Sequence, residues 1–428
     1  MYDFQDFYCA GAALDQGKNP YAYEPLRTCE HRVNPRSFRA NPSLAIPAPQ
    51  PPYDLPPFML LARFDFATAR AIYAAVIVLA VAASALVLWR LGIPLDVAVL
   101  ALALAPGYHE LDAGQIIPFV LLLLVLTAWM LKEGRDGIAG IFAGLTAVEP
   151  HLGIGVALAV LLFVPRARAS LIATCATLAA IGISVASLHG AALYLTRVLP
   201  AQAWAEVRFP PQYSLTYALH ALGVSDGTAL VLGTLSFVAF LVAGLILAPR
   251  IAAGLQRRDL LVLFPAATTI MAGAYVHVVE LCFAIPAALI FARFAHGARR
   301  SVAAAAVALL TVPWIAAWGM KKLFLASVFA SAALLYRLRA ARAIGFTVAI
   351  LIAAGLYLFE LRPPWLPAPP SLAATTFAPE TLVQTEWRAV VQSLDAHDPL
   401  WLAIKIPGWC ALAAIFFIGL SERRVVRK

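Results

Sequence analysis

Charge is scarce in this sequence. Asp, Glu, Lys and Arg make up 13% of its 428 residues, where a soluble domain carries about 25%. That deficit leaves too little polar surface for a body surrounded by water, so much of the chain must face lipid. Cysteine is sparse too, at five. Cys175, Cys282 and Cys410 sit in apolar runs and read as small buried hydrophobes. Cys9 and Cys29 fall in a polar N-terminal segment where a disulfide could persist, a pairing that spacing alone leaves open. No signal peptide stands ahead of the first polar stretch, and neither an internal repeat nor a low-complexity linker interrupts the chain. No standard metal-ligand motif occurs either.

What is abundant is apolar: 62% of the residues are hydrophobic, with a mean hydropathy of +0.82. A membrane span needs roughly 20 such residues, fewer when tilted. Candidate spans lie near 67–89, 94–106, 116–131, 137–148, 152–164, 170–188, 227–248, 260–274, 278–292, 302–319, 323–336, 343–360 and 403–420. Several are short, so eleven to thirteen crossings are expected. The fold class is all-α, a polytopic transmembrane helical bundle.

The net charge of +9 would suit a nucleic-acid partner, but its distribution argues against one. With residues 1–66 outside, successive spans place Arg90, Lys132/Arg135, Arg166/Arg168, Arg250/Arg257/Arg258, Arg293/Arg299/Arg300, Arg337/Arg339/Arg342 and Arg423/Arg424/Arg427/Lys428 inside. That assigns 18 of the 32 Lys and Arg residues to seven short cytoplasmic segments. The outer turns at 106–115, 148–151 and 274–280 contain none, and Lys321/Lys322 is the one exception among short turns. The basic excess is therefore a topology signal. It predicts a multi-pass protein of the plasma (inner) membrane with a cytoplasmic C-terminus.

The chain divides accordingly. Residues 1–66 form an extracytoplasmic loop, 67–360 a transmembrane bundle carrying an outer loop at 189–225, 361–402 a second outer segment, and 403–428 a last helix with a basic tail. The outer loop opens with an amphipathic piece over 191–207, and the second outer segment contains a predicted helix from Pro379 to about Asp395. Long segments fall only outside, which marks that face as the working one.

The most informative stretch is Asp3-Phe4-Gln5-Asp6-Phe7-Tyr8-Cys9-Ala10-Gly11-Ala12-Ala13-Leu14, followed by Gly17-Lys18-Asn19-Pro20-Tyr21. It reads as a short helix with a terminating turn, and Asp3 and Asp6 share one helix face. A carboxylate beside a membrane can act as a general base toward a hydroxyl, and it can equally cap a helix in solvent. The residues alone leave both open.

This pattern resembles the first outer loop of glycosyltransferase family 87, polytopic enzymes of the GT-C type that include polyprenyl-phosphate-mannose-dependent mannosyltransferases. Further pieces follow in the family's order. Tyr53-Asp54-Leu55-Pro56-Pro57-Phe58 resembles its Tyr-Pro-Pro element, and Gly114-Gln115 its Gly-Gln element. Val148-Glu149-Pro150 stands where the family has Lys-Pro, Gln212-Tyr213-Ser214-Leu215 resembles Asn-Gln-Ser-Leu, and Tyr275-Val276-His277 an aromatic-x-His element. Three departures stand out. The family's first helix, ahead of the Asp motif, is missing here, as expected of a truncated chain or misassigned start. Glu149 reverses the charge of the usual Lys, and paired histidines are reduced to His277 with Glu280 one turn on.

The resemblance implies a lipid-linked hexose donor, mannose first, and a glycolipid or glycan acceptor, with membrane lipids as further partners and no nucleic acid. It makes Asp3 the general base and His277 the second catalytic group. Tyr8, Tyr53, Gln115, Glu149, His151, Arg208, Gln212 and Glu280 are the expected substrate-binding residues. His277, His151 and Arg208 are candidates to stabilise the leaving phosphate. That phosphate leaves well, so neither metal nor cofactor is expected beyond the lipid-linked co-substrate.

Other polar groups carry plainer readings. His109, Glu110 and Asp112 match no metal motif and read as a solvated turn. Lys321 and Lys322 could hold a lipid phosphate or snorkel to headgroups. Trp204, Trp314, Trp318 and Trp401 fit an interfacial belt. The alternative function is a transporter or flippase of a lipid-linked or small polar substrate. It should carry polar breaks at mid-membrane and often an internal repeat, whereas the polar sites here fall at helix ends.

Overall fold

The computed structural model describes residues 1–35, 38, 43–271, 273, 275–314, 321–338, 377–392 and 399–421. The candidate span at 343–360, Trp318, and the basic residues at 339, 342 and 423–428 lie outside them.

Among the described residues the regular elements are helices. In order they are α1 Tyr2–Asp15, α2 Tyr23–Val33, α3 Leu55–Leu61, α4 Phe66–Arg90, α5 Leu95–Ala103, α6 Ala105–Ala113, α7 Ile117–Lys132, α8 Asp136–Leu145, α9 Pro150–Phe163 and α10 Arg168–Leu193. There follow α11 Leu199–Ala205, α12 Leu215–Ala221, α13 Asp226–Leu255, α14 Leu260–Met271, α15 Ile285–Phe294 and α16 Ala298–Leu310. The last four are α17 Lys321–Arg337, α18 Val383–Gln392, α19 Pro399–Ala403 and α20 Ile406–Ser421. The all-α, polytopic expectation holds.

Among the described residues, four stretches are long and apolar enough to cross a membrane: 66–90, 165–205, 226–255 and 401–421. The helices at 117–132, 136–148, 150–163 and 260–271 are apolar but shorter. The run expected at 94–106 is broken into α5 and α6, and 278–292 into a 3-10 turn and α15. Proline explains both divisions. Pro106 and Pro286 each occupy the first turn of the second piece, where a missing N–H costs nothing.

The interior is one apolar cluster in which α5, α7, α9, α14, α15, α16 and α20 meet. Outward faces stay greasy: Leu79 of α4, Ile172 and Leu188 of α10, and Leu235 of α13 are exposed, as lipid-facing residues are. Some expectations shift. Cys410 is exposed and Cys175 only half-buried, while Cys282 is buried as expected. Trp314 and Trp401 are buried beside Phe324 and Tyr217 instead of standing in an interfacial belt.

The basic connections gather at one end. Arg257 donates to the Leu91 carbonyl at 2.8 Å and pairs with buried Asp259, and Arg258 pairs with Asp136 at 2.9 Å. Lys132 reaches the Arg90 carbonyl at 2.6 Å, and Arg337 pairs with Asp96. The other end of α4 carries Phe66, stacked on Phe4 of α1 at 5.8 Å. Helix α4 has 25 residues, about 37 Å at 1.5 Å per residue. The basic end and the Asp3 end are therefore about a membrane thickness apart.

A second apolar cluster seats α1 on the bundle. Phe4, Phe7, Tyr8, Leu26, Phe58, Tyr73 and Ile77 pack together, with Phe4 stacked on Tyr73 at 4.6 Å. Cys9 and Cys29 form a disulfide that ties α1 to α2, settling the pairing left open by spacing.

Candidate active site

Asp3 is held where it is by two glycines. Gly11 lets α1 lie directly on α3: a β-carbon there would sit 2.4 Å from the Phe58 carbonyl carbon. Gly114 ends α6 in the left-handed conformation (φ 80°), and a β-carbon would meet that of Phe4 at 2.8 Å. The chain can therefore turn against α1, and the next residue, Gln115, donates its amide to Asp3 Oδ2.

Asp3, Asp6, Gln50, Gln115 and Glu149 line a cavity of about 210 Å³. Gln202, Glu206, Tyr275, His277, Glu280 and Trp387 line it with them. Residues from seven separate stretches of sequence thus converge at the Asp3 end. Gln212 and Tyr275–His277 meet through a short antiparallel bridge, where Tyr213 N–H donates to the Val276 carbonyl at 2.6 Å. Gln212 also accepts from Val276 N–H at 2.9 Å and lies 3.0 Å from His277 Nε2.

The polar groups form a chain of carboxylates and imidazoles. His151 bridges Glu149 at 3.2 Å and Glu280 at 3.1 Å. His277 lies between Glu206 at 3.5 Å and Glu280 at 3.8 Å. Glu206 is the most heavily solvated by protein. It accepts from Gln202 at 3.1 Å, Gln212 at 3.3 Å and the Trp387 indole at 2.8 Å. Among the described residues no group of three or more His, Cys, Asp or Glu side chains is disposed to hold a metal ion.

Burial sets the charge states. Desolvation pushes the Asp3 carboxyl up to about 6, opposed by the Gln115 hydrogen bond and by His277. Asp6 is raised well above the carboxylate range by burial and then by Glu30. Burial alone would lower His277, but the hydrogen bond and charge of Glu206 raise it on balance.

The predicted set is brought together in large part. Asp3, Gln115, Glu149 and Glu280 line the cavity with His277, while His151 and Gln212 bond to lining residues. Tyr8 is buried in the α1 packing and donates to the Phe64 carbonyl at 2.9 Å. Tyr53 does not line the cavity either; it donates to the Ala147 carbonyl at 2.7 Å, two residues before Glu149. Arg208 is turned away, paired with Asp226 at 2.9 Å in a separate surface depression. His109 and Glu110 are buried on α6, not in a solvated turn, while Asp112 is exposed. Lys322 is exposed at the start of α17.

Several contributors went unread in the sequence, Gln50 and Gln202 of the lining among them. Glu206 and Trp387 meet across 181 positions, and neither sits in a motif. Lys405 is fully buried among the rings of Tyr213, Tyr217 and Trp401. Its ammonium donates to the Pro210 carbonyl at 2.6 Å and pins the loop that carries Gln212. A lone lysine inside an apolar run was the available signal.

A polytopic helical protein with an acidic, histidine-bearing cavity at one end of its bundle has the form of a membrane enzyme. The sequence profile of glycosyltransferase family 87 matches residues 50–274. The chain belongs to that family and is a membrane glycosyltransferase. No curated protein matches it. Asp3 and His277 lie outside the matched range, so their place in the site rests on the geometry.

Proposed function

We propose that the enzyme transfers a hexose, mannose first among the candidates, from a polyprenyl-phosphate donor to a hydroxyl of a lipid or glycan acceptor. The reaction takes place on the extracytoplasmic face of the plasma membrane and inverts the anomeric centre. The observation that carries this reading is Asp3, lining the same cavity as His277 with its carboxylate bonded to Gln115.

A carboxyl held at about 6 is ionised at neutral pH and a better base than a solvated aspartate. In the transfer, the acceptor O–H proton passes to Asp3 as the acceptor oxygen bonds to the anomeric carbon. The bond from that carbon to the phosphate oxygen breaks, and polyprenyl phosphate leaves with its electron pair. Attack from the face opposite the phosphate gives inversion, and the oxocarbenium-like charge in between lies near carboxylates. His277 and His151 supply the donors for the leaving phosphate. Arg208 takes no part, because Asp226 holds it.

The test is Asp3→Asn, assayed in membranes supplied with polyprenyl-phospho-sugars by following labelled sugar. Loss of a general base lowers the rate by about 10²–10⁴-fold. Undiminished transfer would remove Asp3 as the base.

A further inference from the structure

The cavity lining is lopsided in sign. Asp3, Asp6, Glu149, Glu206 and Glu280 contribute five carboxyl groups, and among the described residues no lysine or arginine lines it. Its positive groups are His277 and, just behind the lining, His151. Each of these imidazoles already lies between two carboxylates. Even with both protonated, carboxyl groups are left over.

A surplus of acid defines no ligand by itself. The second observation is a pair of acceptors without donors. Gln50 Oε1 and Gln202 Oε1 receive no hydrogen bond, and both side chains are 6% exposed where they line the cavity. The Gln202 amide is not free to reverse, since its nitrogen donates to Glu206 at 3.1 Å. Glu149 keeps one carboxylate oxygen beyond the one that meets His151. Buried acceptors left unpaired are costly, so the ligand must be rich in donors. Sugar hydroxyls would supply donors but no charge. A protonated amine supplies three N–H donors and the missing positive charge together.

We infer that the sugar seated in this cavity carries a protonated amino group, with Glu149 as its counter-charge and the buried, unpaired oxygens of Gln50 and Gln202 turning to accept from the same ring. This rests on the transferase reading and narrows its substrate class to aminosugars, as donor or as acceptor. It also relieves a conflict, since a donor phosphate would otherwise enter a site of its own sign.

The experiment is isothermal titration calorimetry on the full chain in lipid nanodiscs at pH 7. The donor arm uses citronellyl-phosphoryl mannose and its monoamino forms at C2, C3, C4 and C6. The acceptor arm uses the corresponding methyl mannosides, and each amine is accompanied by its N-acetyl derivative. At least one amine, in one arm, should bind tenfold or more tightly than both its hydroxyl parent and its N-acetyl form. Glu149→Gln should narrow that preference to less than threefold. If no amine in either arm is preferred by the unmodified chain, the inference is overturned, with no dependence on any variant folding. If phospho-sugars lacking an amine bind and support Asp3-dependent transfer as well as the amines do, the inference falls and the transferase reading stands. If no phospho-sugar binds or is transferred, the transferase reading itself falls.

Discussion

Gln115 and Asp3, 112 positions apart in sequence, are joined by a hydrogen bond from the glutamine amide to the aspartate carboxylate. The bond stabilises the charged form of Asp3 and opposes the desolvation that raises its pKa to about 6. Removing the donor should raise that pKa further. Transfer rates in the unmodified enzyme should climb tenfold per pH unit below about 6 and level off above it. In Gln115→Leu the climb should move to higher pH, with a larger loss at pH 6 than at pH 8. A pH profile of kcat/KM that keeps its acid limb in place would count against this role for Gln115.

Gly11 has no room for a side chain, because a β-carbon there would lie 2.4–2.7 Å from the backbone of Phe58 and Met59. Gly11→Ala should force α1 off α3 and cost about 1–3 kcal/mol, as overpacking does. Asp3 rides on the same helix, so activity should fall with stability. The comparison is the melting temperature and labelled-sugar transfer of the variant beside Gly17→Ala. Gly17, unlike Gly11, has a positive φ, but a β-carbon there meets nothing within 4 Å, so its variant should keep its transfer rate.

The Cys9–Cys29 bond spans 20 positions. Closing a loop of that size contributes about 3 kcal/mol by restricting the unfolded chain. Cys29→Ser, or reduction of the unmodified protein, should lower the denaturation midpoint by a corresponding amount. Equal midpoints with and without reductant would contradict it.

Glu30 of α2 and Glu386 of α18 hold adjacent backbone amides, those of Ile46 at 3.0 Å and Ala45 at 3.3 Å. Burial pushes both carboxyls up to about 8, against an ordinary value of 4.5. The folded state therefore keeps protons that the unfolded chain has already released. The stability they confer is complete below about 4.5 and is lost as pH rises through about 8. The melting temperature should drop between pH 6 and pH 9, and Glu386→Gln should flatten that drop. Ile46 lines the cavity, so the same change should blunt any alkaline fall in transfer.

The composition and apolar runs determined the class of protein. Thirteen percent charge cannot cover a water-soluble body, and short basic loops set against outer turns mostly free of Lys and Arg fix which helix ends belong together. Periodic, local signals of that kind survive in a linear reading. The Asp3 motif, Gly114-Gln115, Glu149 and His277 were legible because each is a short pattern with its own local geometry. Tertiary structure decided which polar groups share the cavity. Arg208, two residues from Glu206, is drawn aside by Asp226, while Trp387 is brought in from 181 positions away, its indole bonded to Glu206 and its ring edge-on to Phe209. Both outcomes depend on which charge a folded neighbour supplies, and no local spacing records that. Whether Cys9 met Cys29, and whether His109 lay in water or inside α6, were likewise settled by the packing of α1 and α6 against their neighbours.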